Sequence, residues 1–233
     1  MRIAKAFSSA SSLDVSLLGV GYCKDDTELL PDCFFRTPHL TRSICDLKQF
    51  NVSRRLPILR DILDRLYYHS TAEWLIYTNS DIGVQPFFYD TVLQIINQGY
   101  DAFVINRRIL PDHYTSCTEL PLMYSDIGRP HPGHDCFVFR REAYPKYRLG
   151  DVCIGISWVG RILLWNLCAH SAQFHEFKDR HMTFHIGHTA IWQSDKFSDY
   201  RAHNESEARK ALTTLQDEVG PFPPESAITP YLI

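Results

Sequence analysis

No run in this chain approaches the ~18–20 consecutive apolar residues that a membrane-spanning helix requires, so no membrane span is expected. Charge of one sign is also lacking. With 24 Lys and Arg against 27 Asp and Glu, the formal charge is −3, which offers no electrostatic footprint for nucleic acid. There is no C-x-x-C pair, and seven cysteines is an odd number, which suits reduced thiols in a cytoplasmic protein better than a disulfide framework. H-E-x-x-H is absent. Repeats and low-complexity tracts are absent too. The opening M-R-I-A-K-A-F-S-S-A-S-S has no apolar core of the kind a signal peptide carries, so the Asn51-Val52-Ser53 and Asn204-Glu205-Ser206 sequons are expected to be empty matches.

What is there is a hydrophobic content of 45%, enough for a core, spread over an alternation of strand-like and helix-like stretches. Val15 to Tyr22 is a nearly continuous apolar run of the kind a buried strand shows, ending in the polar turn Cys23-Lys24-Asp25-Asp26. Leu56, Ile58, Leu59, Ile62, Leu63, Leu66 and Tyr67 recur at helical spacing, with Pro57 suited to a first turn. Trp74 to Tyr77 is a short strand that turns abruptly polar at Thr78-Asn79-Ser80-Asp81. A helix from Pro86 to Gln98, closed by Gly99, and a strand from Tyr100 to Asn106 follow. Residues 109–133 are Pro-rich and read as a long loop, either functional or plain connecting chain. Cys136 to Phe139 is strand-like, Trp158 to Leu167 reads as a buried helix, and Glu205 to Glu218 is a charged amphipathic helix. Strand, helix, strand in this order implies an α/β fold with a mostly parallel central sheet and helices on both faces. The expected division is a segment 1–12, one domain over 13–219 and a tail over 220–233.

Five places carry candidate chemistry. An apolar strand that delivers a carboxylate at its C-terminal end, as Asp81 is delivered here, is how open α/β sheets place ligand-binding groups, although Asp81 also suits a turn or cap. Tyr22, with Asp25 and Asp26, stands at the end of the first strand, where the acids also suit a solvated turn. In H-P-G-H-D-C-F-V-F, Asp135 suits the closing residue of a turn after Gly133. Asp151 suits a helix N-cap. Farther on, H-M-T-F-H-I-G-H places His181, His185 and His188 close in sequence. That spacing would hold zinc only on a helix, and Thr183, Phe184, Ile186 and Gly187 argue for a strand and turn.

Asn79-Ser80-Asp81 at the end of an apolar strand resembles the D-x-D signature of GT-A glycosyltransferases. The G-x-D-x-F-V-F of residues 133–139, followed by Asp151 and Gly155-x-x-Trp158, is similar to the second half of that family. The resemblance runs over about residues 13–190. It implies transfer of a sugar from a nucleotide-diphosphate donor to a hydroxyl acceptor. It further implies that Asp81 binds Mn²⁺ or Mg²⁺ with a late histidine, His188 in the first place or else His185. Tyr22, Asn79, Asp81 and Asp135 would then meet the nucleotide-sugar, with Asp151 as catalytic base. In this chain Asn79 stands where the family has its first acid, and it brings no charge. Two other readings share the fold. A nucleotidyltransferase is disfavoured because Gly19-Val20-Gly21-Tyr22-Cys23-Lys24 lacks the glycines of a phosphate loop. A non-catalytic nucleotide-sugar-binding protein is kept open by Asn79.

Overall fold

A computed structural model describes residues 1–9, 13–187, 193–222 and 229–231. The chain is α/β and resolves into two compact units, one of Met1–Val15, Ile76–Phe139 and Ala172–Thr189, the other of Ser16–Leu75, Arg140–Ser171 and Ala190–Ile233.

The first unit begins with helix α1 (Arg2–Ser8). The second unit then supplies strand β1 (Leu17–Gly19), helix α2 (Lys24–Glu28), strand β2 (Phe34–Arg36) and helix α3 (Leu59–Tyr68). β1 and β2 form a separate parallel pair. Strand β3 (Trp74–Thr78) crosses the unit boundary and leads to β4 (Gly83–Val84), α4 (Phe88–Asn97) and β5 (Ala102–Leu110). After α5 (Leu120–Ser125) come β6 (Arg129–Arg140), α6 (Val159–Ala169), β7 (Phe174–Phe177), β8 (Thr183–Ile186) and α7 (Ser198–Val219). In the larger sheet the order is β3-β6-β5-β8-β4, and β7 also pairs with β5. Strand directions are mixed. β7 and β8 run parallel to β5, while β6 is antiparallel to β5 and β4 antiparallel to β8, in place of the mostly parallel sheet expected. The reason is the connection: β6 returns directly beside β5 after a short helix, with no full crossover, and a direct return reverses direction.

Burial follows the apolar patterns. Leu59 and Leu63 of α3 and Phe88, Tyr89, Val92 and Ile95 of α4 are buried at helical spacing. α4 ends as its sequence suggests, with Gly99 in the left-handed region at φ +99°. Gly83 is required at its place on β4, because a Cβ there would stand 2.4 Å from the Phe184 ring on β8.

β5 outruns its expected end at Asn106 by four residues. Arg107 and Arg108, expected just beyond the strand, are each neutralised inside the unit. Arg107 donates to Asp135, and Arg108 pairs with Asp179 and donates to the carbonyls of Ile127 (2.7 Å) and Gly128 (3.1 Å). A guanidinium paired with a carboxylate can lie in a strand of the sheet, Arg108 with bonds from all three nitrogens and Arg107 through its bond to Asp135. The supposed loop 109–133 contains α5, preceded by a 3-10 turn (Cys117–Glu119) that starts in a capping box, in which Ser116 accepts from Thr118 N–H and Glu119 accepts from Ser116 N–H at 2.8 Å.

α7 begins seven residues before the expected Glu205, at Ser198, because Tyr200 and Asn204 continue its buried stripe of Ala208, Ala211, Leu212 and Leu215. The Asn204 side chain is fully buried and bonded, so its sequon is closed in the folded chain. All seven cysteines are free thiols, with Cys136 and Cys153 buried and Cys168 partly so. Among the described residues no helix is long and apolar enough to cross a membrane.

Candidate functional site

Within the first unit, chemistry gathers where β5 changes neighbours. Along one edge β7 pairs with Ala102–Ile105 and β8 with Arg108–Leu110, so Asn106 and Arg107 fall at the hand-over. A switch of strand partners opens room at the sheet's end for side chains to converge.

Asp81 arrives from the turn after β3 and His185 from β8, and the structure brings them together with His185 Nε2 3.2 Å from Asp81 Oδ2. The second imidazole nitrogen, Nδ1, lies 2.9 Å from the Gly187 carbonyl. A carbonyl can only accept, so Nδ1 carries a proton, and Nε2 needs either a second proton or a cation to face a carboxylate favourably. The hydrogen bond with Asp81 accordingly raises the His185 pKa against the opposing effect of burial, and the same bond lowers that of Asp81. Asp81 keeps 61% of its side-chain surface exposed, whereas His185 keeps 14%. The pair is open on the carboxylate side and held on the imidazole side.

Arg107 bonds Asp135 at 2.6 Å, with 14% and 9% of the two side chains exposed. Only Asp135 Oδ1 is engaged this way. Oδ2 is buried and has no hydrogen-bond partner among the described residues, with His131 Nδ1 4.0 Å away. Burial raises the Asp135 pKa, with the Arg107 charge opposing and the Asp81 charge reinforcing. The Arg107 charge also lowers both Asp81 and His185, which places the two pairs within one electrostatic neighbourhood. Asp135 is thus a strand residue, not the closing residue of a turn.

Asn79 turns its side-chain oxygen to the buried Tyr77 hydroxyl, which donates to it at 3.1 Å, and this leaves the Asn79 NH₂ as a donor. Behind the site lies a buried cluster that the sequence reading did not single out. Glu176 of β7 accepts from Asn106 Nδ2 at 2.9 Å and lies 3.0 Å from His134 Nε2, with Lys178 3.4 Å from its other oxygen. Burial alone would raise the Glu176 carboxyl, but His134 and Asn106 outweigh it and bring it down to about 2. A lone acid within the aromatic stretch Phe174 to Phe177 was the available signal.

Two site candidates belong to the second unit. The Tyr22 ring lies under the Arg55 guanidinium at 4.5 Å, and burial pushes its hydroxyl up to about 12 with Arg55 opposing. That hydroxyl is buried without a hydrogen-bond partner among the described residues, while Tyr22 N–H donates to Asp26 at 2.7 Å. Asp25 and Asp26 sit in the first turn of α2. Asp151 occupies a turn whose backbone is fastened to α7: its N–H donates to Glu207 at 3.2 Å and its carbonyl accepts from His203 at 3.0 Å. It is not a helix N-cap, since α6 starts at Val159 and is preceded by Trp158 in the left-handed region. His188, the first choice for a metal ligand, lies outside the described residues. Among those described, no three His, Cys, Asp or Glu side chains are grouped to hold a metal, so Asp81 and His185 make a two-donor set.

No protein-family model matches the chain, and no curated protein matches it in sequence. Solved structures that it is similar to include S. aureus TarS residues 1–349 in complex with UDP-GlcNAc, at 9% identity and TM-score 0.48, covering 99% of this chain and 72% of that one. S. aureus TarS itself matches at 9% identity and TM-score 0.45 over 92% of this chain and 41% of the other. TarS 1–349 with UDP matches at 9% identity and TM-score 0.44, over 97% and 70%. A likeness at this level assigns neither family nor activity.

Proposed function

We propose that the protein is a glycosyltransferase that moves a sugar from a nucleotide-diphosphate donor to a hydroxyl acceptor. The observation that carries this reading is the meeting of Asp81, at the end of β3, with His185 of β8, beside the Arg107–Asp135 pair.

The donor set suits a hard divalent cation. One exposed carboxylate and one imidazole nitrogen leave the remaining positions to phosphate oxygens and water, the arrangement Mg²⁺ favours, and Mn²⁺ tolerates the nitrogen better. Asp81 and His185 would hold it, with His185 releasing the Nε2 proton and keeping the Nδ1 proton on Gly187. Bound there, the cation would neutralise charge developing on the leaving nucleoside diphosphate.

The remaining roles fall to side chains. Arg107 adds a fixed positive charge toward the diphosphate, and the Asn79 NH₂ donates to a phosphate or ribose oxygen. Asp135, with Oδ1 tied to Arg107, offers Oδ2 to a sugar or acceptor hydroxyl. The test is calorimetric titration with UDP and GDP, with and without Mn²⁺. Binding that requires Asp81 is expected, and no nucleotide binding by the wild type would overturn the reading.

A further inference from the structure

β5 and β6 pair one for one from Ala102 opposite Phe139 to Ile105 opposite Cys136. Continued without a break, that ladder would set Asn106 opposite Asp135. Instead Asn106 lies opposite His134, and Asp135 is the extra residue of a β-bulge. The consequence is one of faces, because a one-residue slip carries a side chain to the other side of the sheet.

Glu176 lies opposite Val104 on the parallel strand β7, and residues 104 and 106 of β5 share a face. Glu176, Asn106 and whichever β6 residue opposes Asn106 therefore stand together. In the unbroken register that residue would be Asp135, whose carboxylate would confront the Glu176 carboxylate in a buried place. In the bulged register it is His134, which lies 3.0 Å from Glu176 Oε1, while Asn106 donates to the same oxygen at 2.9 Å. The Glu176 side chain is 4% exposed, so like-charge repulsion or a hydrogen bond there is only weakly screened by water. Asp135 is sent to the other face, where it meets Arg107 at 2.6 Å.

We propose that Glu176 is the positioning residue of the site: it selects the bulged β5–β6 register by taking His134 and excluding Asp135, and so delivers Asp135 to Arg107. Glu176 itself touches no ligand. The register assignment stands on the sheet alone, and only its effect on ligand binding rests on the glycosyltransferase reading.

The test is NMR on the full labelled chain, following backbone cross-strand NOEs from Asn106. The wild type is expected to give contacts to His134. Glu176→Gln, which removes the charge and keeps the shape, is expected to add a second set of signals with Asn106 contacting Asp135. Glu176→Asp is expected to restore the single set. A folded Glu176→Gln that keeps only the His134 contact overturns the proposal. Should that variant fail to fold, Asp135→Asn serves in its place: with the repulsion gone, two registers are expected, and one register alone overturns the proposal. UDP titration of the same variants reads the consequence, with Glu176→Gln expected to weaken binding about as much as Asp135→Asn. If the wild type binds no nucleotide, the functional reading falls while the NOE pattern still decides the register.

Discussion

Replacing Asn204 should loosen the turn that carries Asp151. The Asn204 side chain is fully buried on α7 and makes three bonds to the backbone of that turn, each at 2.9 Å, besides accepting from the Cys153 thiol at 3.4 Å: Oδ1 accepts from Cys153 N–H, and Nδ2 donates to the carbonyls of Cys153 and Ser157. Asn204→Ala removes all three partners at once and leaves buried backbone groups unsatisfied, at ~1–3 kcal/mol apiece. Allowing for partial relaxation, the loss should be about 4 kcal/mol. In a domain of this size that corresponds to a fall in Tm of roughly 8–16 °C. Asn204→Leu, which fills the volume without restoring the bonds, should lose a similar amount and so separates lost hydrogen bonding from a cavity. Urea denaturation followed by tryptophan fluorescence measures both. A loss under ~1 kcal/mol in Asn204→Ala, or full recovery in Asn204→Leu, would refute the argument that hydrogen bonds hold this turn.

The Asp81–His185 pair should be visible in an NMR titration of the His185 imidazole, whose midpoint is raised above the ordinary 6.5 by the Asp81 hydrogen bond and should fall in Asp81→Asn. The sign follows from the two shifts. The raised histidine contributes stability that is fully present below pH 6.5 and is lost as pH rises through its folded midpoint. The lowered aspartate contributes stability present above 3.8 and lost as pH falls through its own. Gly83→Ala should destabilise the first unit by ~1–3 kcal/mol, since the added methyl meets the Phe184 ring in a packed core; thermal denaturation unchanged from wild type would contradict that.

Much of this architecture can be read from the chain because apolar runs end abruptly where elements end. Trp74 to Tyr77 followed by Asn79-Ser80-Asp81 is a strand and a turn on any reading, and α4 with Gly99 likewise. The late end of β5 and the early start of α7 share one cause: polar residues are satisfied by partners far away in sequence. Arg107 and Arg108 continue β5 because Asp135 and Asp179 neutralise them, and Tyr200 and Asn204 begin α7 because they bond buried backbone and side chains. The local signals for helical structure ahead of α5 are the Ser116–Glu119 capping box of the 3-10 turn before it and Pro121 in its first turn. The face on which Asp135 emerges could not be read from its neighbours, since Cys136 to Phe139 are all apolar and buried and show no alternation to fix the register. Glu176, about 40 residues on, distinguishes them, and only the folded sheet brings it near. The mixed strand directions were hidden for the same reason, because a strand's sequence does not state which way its neighbour runs.

The central claim is that Asp81 and His185 act together on one ligand, and a double-mutant cycle tests it most directly. Calorimetric titration of UDP with Mn²⁺ would be run on the wild type, Asp81→Ala, His185→Ala and the double variant. If the two side chains hold the same group, either single change removes most of the binding and the double change costs little more, well short of the sum. Losses that simply add, or binding indifferent to Asp81→Ala, would contradict the account.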